Sequence, residues 1–298
     1  MKMTFGVLLG LVLSCGFSAL AVGQDQAQGI HSPPKVLVIT REFVKPGHGG
    51  NMHAKSESAF VQAMSKANWP THYIAMDSLS GKNRSLFFVG YDSFESWEKD
   101  TLGMIKNAAL SNALDQAAVA DGNLLDAMDQ AIFVYNEDMS LRGPVDIPHM
   151  RYMEIQVFRV KPGHIEEWSE AVKLVKAAYE KAVPDAHWAM FHLVYGGNVG
   201  TYAVITPLKS LAETDVMLGS DRKFVQAMGE DGMKKLTELE AASVESRERN
   251  VFAFNPRMSY APPDWVKADP DFWQPKAMKT PAAGAKKSAA GAKPTTAP

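Results

Sequence analysis

The chain has 298 residues, 46% hydrophobic and 21% charged, which is an ordinary globular composition with enough apolar content to bury a sizeable core. The net charge is -2, and Lys276, Lys279, Lys286, Lys287 and Lys293 sit in an acid-free terminal stretch, so the body is mildly acidic and no nucleic-acid partner is expected. Cys15 is the only cysteine, which excludes a disulfide framework and a cysteine-based metal site.

Residues 1–23 read as a signal peptide. Lys2 supplies the positive start, "FGVLLGLVLSCGFSALAVG" the apolar run, and Ala19, Ala21 and Gly23 the small residues of a cleavage site. Cleavage there predicts a periplasmic or secreted protein. The alternative is a lipoprotein, because "LVLSC" resembles a lipobox ending at Cys15. A retained anchor comes third: the run is short for a spanning helix, so no stable membrane span is expected.

The next elements occur twice. "KVLVITREFVKPGH" and "RYMEIQVFRVKPGH" are alternating, β-rich runs that end in the same Val-Lys-Pro-Gly-His. Pro lacks a donor and Gly turns tightly, so each run is a strand closed by a turn. Amphipathic stretches follow, "NMHAKSESAFVQAMSKA" and "IEEWSEAVKLVKAAYEKA"; in the second, Trp168, Ala171, Val172, Val175 and Ala178 share one helix face. Two strand pairs come next, "THYIAMDSL" with "RSLFFVGYDSF" and "AHWAMFHLVYGG" with "GTYAVITPL", each joined by a Gly-containing turn. Helix-rich stretches are predicted over Phe94 to Gln130 and Leu211 to Glu248. The closing strands are "AIFVYNEDMS" and "NVFAFNPRMS".

Each half therefore reads β-α-β-β-α-β, the ferredoxin-like order. Such a sheet carries helices on one face only, and a second copy can cover the open face. The expected fold class is α+β: two ferredoxin-like βαββαβ repeats, 35–140 and 151–260, joined by a linker over 141–150 and forming an intramolecular α/β barrel. A Pro/Trp-rich extension, 261–275, is expected to lie along the body through Trp265 and Trp273. Residues 276–298 are too poor in large apolar side chains to fold and are expected to be disordered.

A strand ending in Val-Lys-Pro-Gly and followed by an amphipathic helix resembles the dimeric α/β-barrel superfamily, including the antibiotic-biosynthesis-monooxygenase-like and NIPSNAP-like domains. The resemblance covers about Lys35 to Tyr260, in two copies. It implies a fused pseudo-dimer, so self-association is allowed but not needed to close the barrel. It does not imply one function, since members include cofactor-free monooxygenases, haem-degrading enzymes, isomerases and plain binders.

Candidate site residues come from the strands. The second strands carry His72 and Tyr73 in one half and His187, Trp188 and His192 in the other. In the first strands Thr40 and Glu42 share parity with Val36 and Val38, and Glu154 and Gln156 with Tyr152 and Phe158. The more apolar parity (Leu37, Ile39, Met153, Ile155) is expected to pack on the helices, which aims Glu154 into the space between the sheets. A ligand site of His72, Tyr73, Glu154, Gln156, Trp188 and His192 follows, with Glu154 and His192 as catalytic candidates. His192, His72 or Arg41 is the expected mate of Glu154.

His48 and His164 are read as turn or cap residues. His48 and His53 lie five apart, off one helix face, and no H-E-x-x-H element occurs, so no converging metal-ligand set is expected. "YGGNVG" joins two strands and reads as a hairpin turn, and neither a phosphate loop nor a nucleophile elbow occurs. The resulting expectation is an exported protein that binds a small, largely apolar or aromatic molecule between its sheets. The alternatives are a cofactor-independent monooxygenase or isomerase, and a structural envelope protein without a ligand. No cofactor is required; haem is a further candidate and would need a His facing open space.

Overall fold

A computed structural model describes residues 32–274. The signal-peptide and lipidation readings and the lysine-rich tail lie outside the described residues. Eight antiparallel strands form one closed barrel: β1 (Val36–Val44), β2 (Tyr73–Ser78), β3 (Arg84–Tyr91), β4 (Leu125–Leu141), β5 (Tyr152–Val160), β6 (Trp188–Tyr195), β7 (Thr201–Leu208) and β8 (Val244–Phe254). Their order around the barrel is β1-β3-β2-β8-β5-β7-β6-β4. The first four strands thus run β4-β1-β3-β2 and the last four β8-β5-β7-β6, with β2–β8 and β6–β4 pairing at the two seams.

The helices are α1 (Asn51–Lys66), α2 (Phe94–Lys106), α3 (Ala108–Gly122), α4 (Ile165–Ala182), α5 (Ala212–Ser243, kinked at Gly229), α6 (Pro263–Ala268) and α7 (Pro270–Trp273). Among the described residues no helix is long and apolar enough to cross a membrane. Both Pro-Gly turns need their glycine: Gly47 and Gly163 have φ of 82° and 86°, where a Cβ costs energy. The two helix predictions run too far. β4 begins at Leu125 rather than Ala131, and β8 at Val244 rather than near Asn250. "DAMDQ" and "ESRER" read as solvated helix surface, yet they pair with β1 and β5, and ladder hydrogen bonds override composition there.

The barrel interior is a packed core. Leu37, Ile39, Met76, Phe133, Ile155 and Phe252 belong to a single cluster that draws buried side chains from all eight strands. Each such side chain contributes about 1.5–3 kcal/mol on burial. The expected sidedness is therefore inverted. Leu37, Ile39, Met153 and Ile155 fill the barrel, and the other parity, with Val38, Glu42, Glu154 and Phe158, lies under the helices. The reason is volume: an eight-stranded barrel is just wide enough for side chains to fill, so the larger apolar set goes inside. Trp273 is buried against Phe254, Trp265 and Phe272, and its indole N–H donates to the Pro148 carbonyl at 2.9 Å, which anchors the extension to the body.

Candidate functional site

Two cavities of about 700 Å³ lie between the outer barrel face and the helices, one in each half of the chain. The first is an open cleft bounded by β1 to β4, α1 and α3. Glu42 on β1, Glu57 on α1, Tyr73 on β2 and Asp121 in the last turn of α3 face it, among apolar side chains such as Phe60 and Phe87.

His53 stands behind these groups on α1, one turn before Glu57. Its Nε2 is 3.0 Å from Glu42 Oε2, 3.6 Å from Asp121 Oδ1 and 4.0 Å from Glu57 Oε1. All four residues are buried, with exposures of 7% for Glu42, 2% for His53, 3% for Glu57 and 2% for Asp121. On its other side, His53 Nδ1 lies 3.3 Å from Ser85 Oγ, whose hydroxyl donates to Asp77 Oδ1 at 2.5 Å. Asn255 Nδ2 donates to the second Asp77 oxygen at 2.7 Å. Because the Ser85 proton goes to Asp77, Ser85 Oγ accepts from His53 Nδ1–H, and Nε2 is left to face the carboxylates.

Burying like charges together makes protons cling. Burial pushes the Glu57 carboxyl up to about 10, helped by the charges of Glu42 and Asp121. Glu42 is also raised by burial, partly offset by its hydrogen bond with His53. Burial pulls His53 down, but the hydrogen bond to Glu42 and the charges of Asp121, Glu42 and Asp77 outweigh it and leave it raised. Burial also raises the Tyr73 phenol, whose oxygen has no hydrogen-bond partner.

The second cavity lies beneath α4 and α5. Its walls are aromatic and aliphatic, with Phe158, Trp168, Tyr179, Trp188 and Met190 prominent. Its polar floor is a chain. Glu154 Oε2 accepts from Arg249 Nη2 at 2.6 Å, Glu154 Oε1 accepts from Gln156 Nε2 at 2.7 Å, and Gln156 Oε1 accepts from Arg247 Nη2 at 2.6 Å. The buried Trp168 indole N–H has no partner.

The six predicted ligand residues do not converge. Glu154, Gln156 and Trp188 line the second cavity and Tyr73 lines the first. His72 stacks on Tyr260 at 4.4 Å and bonds its carbonyl, and His192 lies by Tyr202, 6.5 Å between rings; neither lines either cavity. The mate of Glu154 is Arg249, and Arg41 instead pairs with Asp129. His48 bonds the Pro46 carbonyl and His164 bonds Glu167.

The expectation that no ligand-type groups converge is corrected by the first half, where Glu42, His53, Glu57 and Asp121 each bring one ligand atom within 4.8 Å of the others. The signal in the sequence was His53-x-x-x-Glu57, one helical turn, together with Glu42 where the second half has Phe158. Asp121, from a distant helix, left no such signal.

No family model and no curated protein matches the chain. Solved structures with a similar chain path include a proposed monooxygenase from Fusobacterium nucleatum, 12% identical over 75% of this chain and 94% of that one, with a TM-score of 0.48. An anthrone oxidase-like protein is 14% identical over 74% and 92%, TM-score 0.46. A mutant chlorite dismutase from Candidatus Nitrospira defluvii is 10% identical over 76% and 93%, TM-score 0.44. At these values the likeness assigns neither an activity nor a ligand to this chain.

Proposed function

We propose that this protein is an exported enzyme of two fused ferredoxin-like units that performs proton-transfer chemistry on a small, largely apolar molecule in the first-half cavity. The strand orders β4-β1-β3-β2 and β8-β5-β7-β6 support the two units, and the apolar N-terminal run supports export. One observation carries the chemical reading. A carboxylate backed by an imidazole, Glu42 with His53, faces the same apolar cavity as Glu57, a second carboxyl that holds its proton at neutral pH. Two carboxyl groups in different settings, one bonded to an imidazole and one not, supply a base and an acid. Glu42, supported by His53, takes a proton from a weakly acidic C–H or O–H, and Glu57 or Tyr73 donates a hydrogen bond to the oxygen that gains charge. Returning the proton elsewhere on the molecule is an isomerisation.

The test is hydrogen–deuterium exchange of 2-tetralone and 2-indanone in D2O, followed by mass spectrometry. Saturable exchange above the buffer rate, lost in Glu42→Gln, is the expected result. Exchange at the buffer rate for such carbon acids would sink the enzyme reading.

A second reading, a ligand-binding protein, is favoured by the unpaired Trp168 N–H on the wall of the second cavity, which offers a donor to an aromatic molecule carrying an acceptor. It moves the expected ligand from between the sheets, where the core is packed, to beneath the helices. Saturable quenching of tryptophan fluorescence by 2-naphthol, weakened in Trp168→Phe, supports it; no quenching by such compounds counts against it.

A further inference from the structure

We infer that Glu42, His53, Glu57 and Asp121 form a binding site for one first-row divalent transition-metal ion. The inference goes beyond the proton-transfer reading, which uses the metal-free cluster with Glu57 protonated; with an ion bound the carboxyl groups are ionised. The donor set is one imidazole nitrogen and three carboxylates, from β1, α1 and α3, with one ligand atom from each within 4.8 Å of the rest. Donors held about 2.1 Å from an ion lie roughly 3–4 Å apart, so the widest pair must close by about an ångström or a little more.

Three further observations point to a cation. Glu57 Oε1 and Asp121 Oδ1 are buried and face the cluster, and once Glu57 is ionised neither has a hydrogen-bond donor. Leaving such atoms unpaired is costly, and an ion would satisfy both. Asp121 also stands in the last turn of α3, where the helix dipole disfavours a negative charge, so a nearby cation favours its burial there. Finally, His53 is held as a ligand should be. Its Nδ1–H donates to Ser85, which donates to Asp77, which is held by Asn255, and Nε2 is thereby aimed at the three carboxylates. A chain of this kind fixes the tautomer and raises the basicity of a metal-binding imidazole.

The donors also select the ion. An imidazole argues for a transition metal over Mg²⁺ or Ca²⁺, and three carboxylates with no thiolate favour Mn²⁺, Fe²⁺ or Zn²⁺ over softer ions. The matching place in the second half holds Phe158 and Trp168, which sets the stoichiometry at one.

The test uses the full mature chain, stripped with a chelator and titrated with Mn²⁺, Zn²⁺ and Co²⁺. One ion per chain is expected, with a higher melting temperature and release of protons, since the carboxyl groups must ionise to bind. Electron spin-echo spectroscopy of bound Mn²⁺ should read one imidazole nitrogen. His53→Gln and the double variant Glu57→Gln with Asp121→Asn should abolish stoichiometric binding, and Ser85→Ala should weaken it about 10- to 100-fold. His164→Gln, at an exposed His–Glu pair, should leave it unchanged. No stoichiometric binding by folded wild-type protein, or binding with no nitrogen signal, would overturn the inference, as would full binding in the double variant. The wild-type results decide even if a variant fails to fold. Deuterium exchange by the chelated protein is read separately, so loss of the metal site and loss of the proton-transfer reading are told apart.

Discussion

Glu42 and Phe158 stand at the same place relative to the two Val-Lys-Pro-Gly turns, each two residues before the valine, yet Glu42 bonds His53 at 3.0 Å while Phe158 packs on Trp168 with ring centroids 4.8 Å apart. Their cross-strand neighbours diverge in step: Ser85 faces Glu42, and Tyr202 faces Phe158. One half therefore holds, at this place, polar groups that cost energy to bury, and the other holds three rings. The first half thus buries titratable groups at this place, and the second buries packed rings.

That difference predicts a pH-dependent stability in the first half and little pH dependence in the second. The groups facing Glu57 are Glu42 on β1, His53 on its own helix, Tyr73 and Asp77 on β2, and Asp121 on α3. Its pKa is raised on folding from 4.5 to about 10, so the folded protein binds the proton more tightly than the unfolded chain. That contribution is full below about pH 4.5 and is lost as pH rises toward 10. Each such group slopes stability by at most about 1.4 kcal/mol per pH unit. In chelated protein, Glu57→Gln should therefore flatten the fall in stability between pH 6 and 9 and be the more stable form at pH 8.5. Urea melts across that range check it; parallel curves for the two proteins would count against a protonated Glu57.

The aromatic half should behave as a core. Phe158→Ala removes a ring packed on Trp168 and stacked under Arg247 at 5.0 Å, and should cost about 3–5 kcal/mol with little dependence on pH. Trp168→Phe should cost much less, since the lost indole N–H has no partner. Chemical denaturation of both variants makes the comparison.

The pairing of Glu154 yields a third expectation. Glu154 is buried, while Arg249 is about two-fifths exposed, so solvent weakens the ion pair but does not remove the need for it. Arg249→Leu leaves Glu154 with only the Gln156 amide and should cost about 2 kcal/mol. Adding Glu154→Gln should recover part of the loss, because a neutral amide no longer needs a cation. A double-mutant cycle by urea melts measures the recovery, and purely additive losses would refute the coupling.

What could be read from the sequence follows from how local each signal is. The Pro-Gly turns, the hairpins and α1 and α4 rest on neighbouring residues, and they appear where the pattern put them. The grouping of Glu154 with Phe158, and of Leu37 with Ile39, also rests on strand parity, and it holds. Which parity faces inward does not: it depends on the volume available in a closed eight-stranded barrel, a property of all strands together. The same limit hid the first-half cluster. His53 and Glu57 are one turn apart and visible, but Asp121 joins them only because α3 packs beside α1. His72 and His192 drew attention by residue type, but neither lines a cavity.

The extension after β8 offers the last prediction. Trp273 is buried although only a short, Pro-rich segment holds it, and it meets Phe254 of β8, Trp265 and Phe272 while donating to Pro148 across the chain. Arg151 completes the latch by pairing with Asp269 and lying 4.0 Å over the Phe272 ring. The segment thus closes over core residues that a bare barrel would leave facing water. Trp273→Ala should cost about 3–5 kcal/mol. Arg151→Ala should cost less, about 1–2 kcal/mol, because its side chain is partly exposed. If the latch is one unit, both variants should raise proteolytic cutting within 261–274 before the barrel unfolds, because local opening of a weakly held segment precedes global unfolding. Limited proteolysis with mass mapping reads this directly. Cutting that rises only with global unfolding would show that the extension and the barrel melt together, with Trp273 acting as a core residue and not as a latch.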